Sequence, residues 1–242
     1  MTVTWEELGW ERIAAGVGRC RLPGWDCTVG LVIGGDAALM VDAGSGLVEG
    51  ARLRTEARAL AGRAVTHLAL THPHFDHVFG AAAFTGAEVF GAAGAERVLA
   101  DGREALRADA VGNGLHTRVA DEAVAALAGP GPLVPVSGEL ALPLGAGREA
   151  LLVNVGPGHT AHDLAVLVPG SPPVVFCGDL VEESGEPQAG PDAAPALWPA
   201  ALDRLLSLGG EDAVYVPGHG ALVDAGFVRA QRDALAARFG VS

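Results

Sequence analysis

Four of the chain's eight histidines, His67, His72, His74 and His77, fall within eleven residues, and three of them share the run His72-Pro73-His74-Phe75-Asp76-His77. A fold that gathers so many imidazoles must give their nitrogens partners, because an unpaired buried polar group is costly. The run starts where a short apolar strand over residues 65–70 is predicted to end. Three more candidates follow predicted strands: His159 after 153–155, Asp179 after 174–177 and His219 after 213–216. Each adjoins glycine, in Gly156-Pro157-Gly158-His159, Gly178-Asp179 and Pro217-Gly218-His219-Gly220. Loops at strand ends usually carry sites, and glycine lets the backbone come close.

These residue types suit a metal. Zinc takes imidazole nitrogen and carboxylate oxygen at about 2.0–2.2 Å, so such side chains must converge from one loop and from distant strand ends. Pro73 fixes its own φ between His72 and His74, while Asp76 and His77 extend the same loop. One loop can thus serve two adjacent ions.

Around the run, strands are predicted at 26–33 and 37–41, joined through Gly34-Gly35-Asp36, and at 88–90, 139–142, 150–155, 164–168, 174–177 and 213–216. Helical periodicity covers 47–60, 92–100, 120–128, 197–208 and 227–239, with breakers at Gly112-Asn113-Gly114 and Gly129-Pro130-Gly131-Pro132. Strands then helix, in two halves, predict an α/β (α+β) fold: a four-layer αββα sandwich, one domain over residues 1–242.

Net charge is −13 and the chain has no lysine, so all 16 basic residues are arginine. That excludes a Schiff-base lysine and disfavours nucleic acid and anionic lipid as partners, leaving a small-molecule substrate; the oligomeric state is open. Cys20, Cys27 and Cys177 form no C-x-x-C pair, acidic residues stand near the N-terminus, and no apolar run approaches a membrane span. The expectation is a cytoplasmic protein without a membrane segment.

Taken in order, H-x-H-x-D-H, G-H-T, G-D and P-G-H-G resemble the metallo-β-lactamase superfamily over roughly 25–220. The resemblance implies that His72, His74 and His159 hold a first zinc and Asp76, His77 and His219 a second, with Asp179 bridging; iron or manganese are alternatives. It also implies that a hydroxide generated at the metal pair attacks a carbonyl while Asp76, the catalytic candidate, orients the water. Gly158-His159-Thr160, Leu197-Trp198-Pro199 and a possible Trp25 flap are similar to zinc β-lactamases. Against this, the commonest β-lactamase group has cysteine where Asp179 stands, followed by a drug-binding lysine that this chain lacks. Asp179 resembles the bridging aspartate of glyoxalase II-like thioesterases, but too few residues follow His219 for their glutathione-gripping domain. Di-iron flavoproteins of this fold resemble H-x-E-x-D-H, whereas residue 74 is histidine. The resemblance implies a hydrolase of an ester, thioester, lactone or lactam-like amide, neutral or weakly charged. The alternatives are β-lactamase activity proper, or a non-catalytic binding module.

Other residues carry smaller expectations. His67 reads as structural, His116 is undecided, and His162 is a candidate pocket or substrate residue alongside Trp25. Asp42 and Asp163 either hydrogen-bond a ligand imidazole or cap a turn. Trp198 reads as core, Cys177 as a buried strand residue, and Glu182-Glu183 as solvated surface.

Overall fold

Residues 11–41 fold into an antiparallel meander of β1 (Glu11–Ala14), β2 (Val17–Arg21), β3 (Thr28–Ile33) and β4 (Ala38–Val41). The structure is a computed structural model that describes residues 3–127 and 133–241. After helix α1 (Leu47–Ala61), the strands β5 (His67–Ala69), β6 (Glu88–Ala92) and β7 (Val134–Val136) add in parallel, giving a seven-stranded sheet in sequence order. Between them lie the one-turn helix α2 (Phe75–Val78) and the helices α3 (Ala95–Asp101), α4 (Arg103–Gly112) and α5 (Thr117–Ala126).

A second sheet has the order β12-β11-β10-β9-β8, from β8 (Glu139–Gly145), β9 (Arg148–Asn154), β10 (Leu164–Val168), β11 (Val174–Glu182) and β12 (Val214–His219). β11 and β12 are parallel, joined through α6 (Trp198–Gly209), and α7 (Ala225–Phe239) closes the chain.

The two-residue period of a strand decides the layering. Leu39 and Val41 face Val166, Val174 and Phe176 in a core between the sheets, while Ala38 and Met40 face Leu53 and Ala57 of α1. On the other sheet Val175 and Cys177 pack beneath Trp198, Leu202 and Leu205 of α6. Helices, sheet, sheet, helices: the four-layer αββα expectation holds.

Several boundaries differ. β1, β2, β7 and α4 were not expected: charged Glu11, Arg12, Arg19 and Arg21 mask the meander's period, and α4 follows Gly102 and runs into Gly112-Asn113-Gly114. Residues 92–94 end β6 and turn, so α3 starts at Ala95. α5 begins at Thr117, where the ring of His116 accepts the Arg118 N–H as an N-cap. Residue 128 and the breaker 129–132 lie outside the described residues. Most consequential, β11 runs on to Glu182 and β12 to His219, so Asp179 and His219 sit within strands and not beyond them.

Candidate metal centre

Chain direction is the first determinant of the centre. Parallel β4 and β5 place Asp42 beside Thr71, and the loop leaving β5 carries His72 and His74 before α2 begins. Pro73 disfavours a helical conformation at His72, and His74 stays extended (φ −95°, ψ 151°), so the helix starts only at Phe75. His74 and the α2 residues Asp76 and His77 thereby point toward β11 and β12.

Folding gathers all seven expected residues. His74 Nδ1 lies 3.0 Å from His159 Nε2. Asp179 Oδ2 lies 3.6 Å from His72 Nε2, 3.5 Å from His159 Nε2 and 3.2 Å from His219 Nε2, while its Oδ1 is 3.1 Å from His77 Nε2. Asp76 Oδ2 is 3.4 Å from His219 Nε2 and 3.7 Å from His77 Nε2. Three donor groups result among the described residues, His72-His74-His159-Asp179, His77-Asp179-His219 and Cys27-Asp76-His77, and Asp179 belongs to the first two.

Close packing at Asp179 depends on glycine. A Cβ on Gly218 would come within 1.8 Å of Asp179 Oδ1, and Gly178 (φ 54°) would press a Cβ onto Thr71.

Each imidazole uses one nitrogen outside the cluster and turns the other inward. His159 Nδ1 donates to the Gln188 carbonyl (3.1 Å) and His219 Nδ1 to the Trp25 carbonyl (2.7 Å). His77 Nδ1 donates to Asp42 Oδ2 (2.9 Å), and His74 Nε2 to Asp192 Oδ2 (2.9 Å). The Thr71 hydroxyl donates to Asp42 Oδ2 (2.8 Å), so its oxygen is left to accept from His72 Nδ1 (3.0 Å). In the neutral rings the inward nitrogens therefore present lone pairs. Outer partners of this kind fix tautomer and orientation in metal-binding histidines.

A cation fits this donor set. His72 Nε2 and Asp179 Oδ1 are buried without hydrogen-bond partners, which leaves about 1–3 kcal/mol of desolvation uncompensated per group. The facing lone pairs of His74 and His159 repel unless a proton or cation lies between them. Burial pushes His72 well down and His159 down to about 4, favouring the neutral rings that bind metals. Burial alone would raise Asp179, but the His77, His72 and His219 rings outweigh it and hold the carboxyl well below its usual range. At His219 the order is reversed: Asp179 outweighs burial and holds the ring up to about 9.

A cavity of about 780 Å³ opens over the centre. Trp25 lines it, packed edge-on to Phe75 (5.1 Å, 86°), and the same residue's carbonyl holds His219. Asp192 and Asp109 also line it, neither anticipated; nothing local marks Asp192, which lies 118 residues from His74.

Other expectations need correction. His162 does not line the cavity; its Nδ1 bonds the Ala93 carbonyl (3.0 Å) and its ring packs over Gly94, as tertiary packing turns it away. Glu182 is not solvated: it is 9 % exposed, accepts from the Ser184 hydroxyl (2.6 Å) and lines the cavity because β11 extends to include it. Of the two alternatives for Asp163, the structure has the turn cap, with Thr160 as donor; for Asp42 it has the imidazole partner. His67 pairs within the sheet and bonds Thr66 Oγ1. Trp198 is core yet packs edge-on to His159 at 5.4 Å. Cys27, overlooked in the sequence, lies 3.7 Å from the His77 ring.

The family model described as "Metallo-beta-lactamase superfamily" matches residues 22–219. A hydroxyacylglutathione hydrolase of Cupriavidus metallidurans is 44 % identical over 61 residues, a stretch that covers 24 % of this chain and only 23 % of that protein. Among solved structures, a metallo-beta-lactamase from Pontibacter korlensis superposes with a TM-score of 0.66 at 22 % identity, covering 93 % of this chain and 97 % of its own. One from Hirschia baltica gives 0.66 at 16 % identity (93 % and 96 %), and the mono-zinc form of FIM-1 from Pseudomonas aeruginosa 0.66 at 21 % (95 % and 95 %). At these identities the solved structures establish the shared fold.

Proposed function

This chain belongs to the metallo-beta-lactamase superfamily, and on that premise we propose that it is a hydrolase of small acyl substrates that works with two divalent cations. Zinc is the first choice for an imidazole and carboxylate set, with iron or manganese as alternatives. His72, His74 and His159 would hold one ion, Asp76, His77 and His219 the other. The observation that carries the reading is Asp179, whose carboxylate reaches both groups.

When bound, such a cation pair lowers the pKa of a coordinated water toward about 7 and polarises a carbonyl oxygen. The residues of the chain do the rest. Asp76 lines the cavity floor, where its carboxylate can accept a hydrogen bond from the attacking water and fix its direction. Trp25 and Phe75 exclude solvent from one wall. Asp42 and Asp192 keep His77 and His74 from turning. In the overall reaction the water oxygen joins the acyl carbon and the bond to the leaving oxygen, sulfur or nitrogen breaks. One proton goes to the leaving group, and the other is released as the acid ionises.

The short match to a hydroxyacylglutathione hydrolase supports an ester or thioester before a lactam. Three unpaired, buried thiols favour a reducing compartment such as the cytoplasm, and among the described residues no helix is long and apolar enough to cross a membrane. The test is metal content per chain together with turnover of a panel of thioesters, esters, lactones and lactams, before and after chelation. Metal-loaded protein inert across the panel would instead identify a binding module.

A further inference from the structure

The cavity lining mixes apolar and acidic side chains: Trp25, Phe75, Val98 and Leu106 are apolar, six residues are carboxylates, Asp76, Asp109, Asp179, Glu182, Glu186 and Asp192, and among the described residues no arginine lines it. Asp76 and Asp179 belong to the centre, Asp192 is engaged by His74 and Glu182 by Ser184. Asp109 and Glu186 have no cationic partner among the described residues: the arginine ion pairs all involve other acids. Arg238 reaches the same loop at the Pro187 carbonyl and does not line the cavity. Burial raises Asp109, the His74 ring opposes that rise, and the carboxylates of Asp76 and Asp192 add to it.

Resting on the hydrolase reading above, we propose that the site selects substrates by charge. It takes an acyl ester or thioester whose apolar part lies on Trp25, Phe75 and Leu106 and which carries an amine or quaternary ammonium near Asp109 and Glu186. A substrate carboxylate away from the metal centre finds no guanidinium to receive it and meets these acids instead, an arrangement that costs binding in a partly desolvated cavity. His74, Asp76, His159, Asp179 and His219 of the metal centre line the same cavity, so the carbonyl end sits against them and the cation is placed by the length of the molecule.

The test uses metal-loaded protein and three butyryl thioesters of matched size, with a thiocholine, a 3,3-dimethylbutanethiol and a 3-mercaptopropionate leaving group. Their non-hydrolysable thioether analogues are titrated calorimetrically in parallel. The expected order in both kcat/KM and affinity is cationic, neutral, anionic, with about tenfold or more between the extremes at low salt, narrowing as salt screens the acids. Asp109→Asn with Glu186→Gln, both surface-accessible acids, reduces the ratio of cationic to anionic affinity. An anionic analogue that binds as well as the cationic one, no binding of the cationic analogue at millimolar concentration, or a ratio untouched by the double variant overturns the inference. If no thioester turns over, the hydrolase reading fails while the binding order still decides charge selection.

Discussion

His74 Nδ1 and His159 Nε2 face each other across 3.0 Å, each ring already held from behind, by Asp192 and by the Gln188 carbonyl. Two neutral imidazoles arranged this way repel, and a shared cation turns that repulsion into attraction. Loading should therefore stabilise the fold: at a free metal concentration 1,000 times Kd, about 4 kcal/mol. Calorimetric melting with and without chelator measures this. His72→Ala with His74→Ala should lose one ion per chain and abolish turnover; unchanged hydrolysis would sink the proposal.

Asp192 is exposed along half of its side chain, yet it fixes the orientation of His74. Asp192→Asn should fold normally and lower metal affinity or turnover by about 10–100-fold. A competition titration with a chromogenic chelator reads affinity directly, and wild-type affinity would reduce Asp192 to a surface residue.

Asp42 is different because it is buried and sits at φ 61°, a left-handed conformation that Asx residues tolerate best. Its oxygens accept from the Thr71 N–H, the Thr71 hydroxyl and His77. Asp42→Ala leaves these donors unpaired and should cost about 3 kcal/mol or more in urea unfolding. Asp42→Asn retains the backbone preference and should cost less while still weakening metal binding. Equal losses for the two variants would contradict this account.

Gly218 leaves room for Asp179 and nothing larger. Gly218→Ala should cost about 1–3 kcal/mol through forced displacement and reduce the metal bound per chain, because the displaced carboxylate is the one shared by both groups. Unfolding and elemental analysis of one preparation check both effects.

All three thiols are buried, and burial raises each, Cys27 up to about 12. Thiolate fraction grows as pH approaches the pKa, so a raised value means less thiolate at a given pH than in an unfolded chain near 8.5. At pH 8 the native protein should react with none of its cysteines on the minute scale, and with all three once unfolded in guanidinium. Rapid labelling of the folded protein would show the chain opening locally around β2, β3 or β11.

Much of the centre was legible before folding was considered. Histidines at 72, 74 and 77 announce themselves by spacing, and 159, 179 and 219 by the glycines beside them, because a close-packed donor set imposes local backbone demands. The order of strands and helices foretold helices outside the sheets, and the unbroken apolar runs at 38–41 and 174–177 bury both strand faces accordingly. The meander at 11–21 was hidden, since its charged residues find partners only in three dimensions: Arg19 is buried against Glu11 and the Gly220 carbonyl.

The sequence by itself thus determined which side chains could meet a metal and in what order the chain would present them. Tertiary structure alone decided that Asp192 and Asp42 would brace His74 and His77, that His162 would turn away and Glu182 inward, and that the cavity would carry acids with no arginine among its described lining residues. The physical reason is range. Local backbone constraints are written within a few residues, whereas charge, burial and hydrogen-bond partners depend on neighbours brought from tens of positions away.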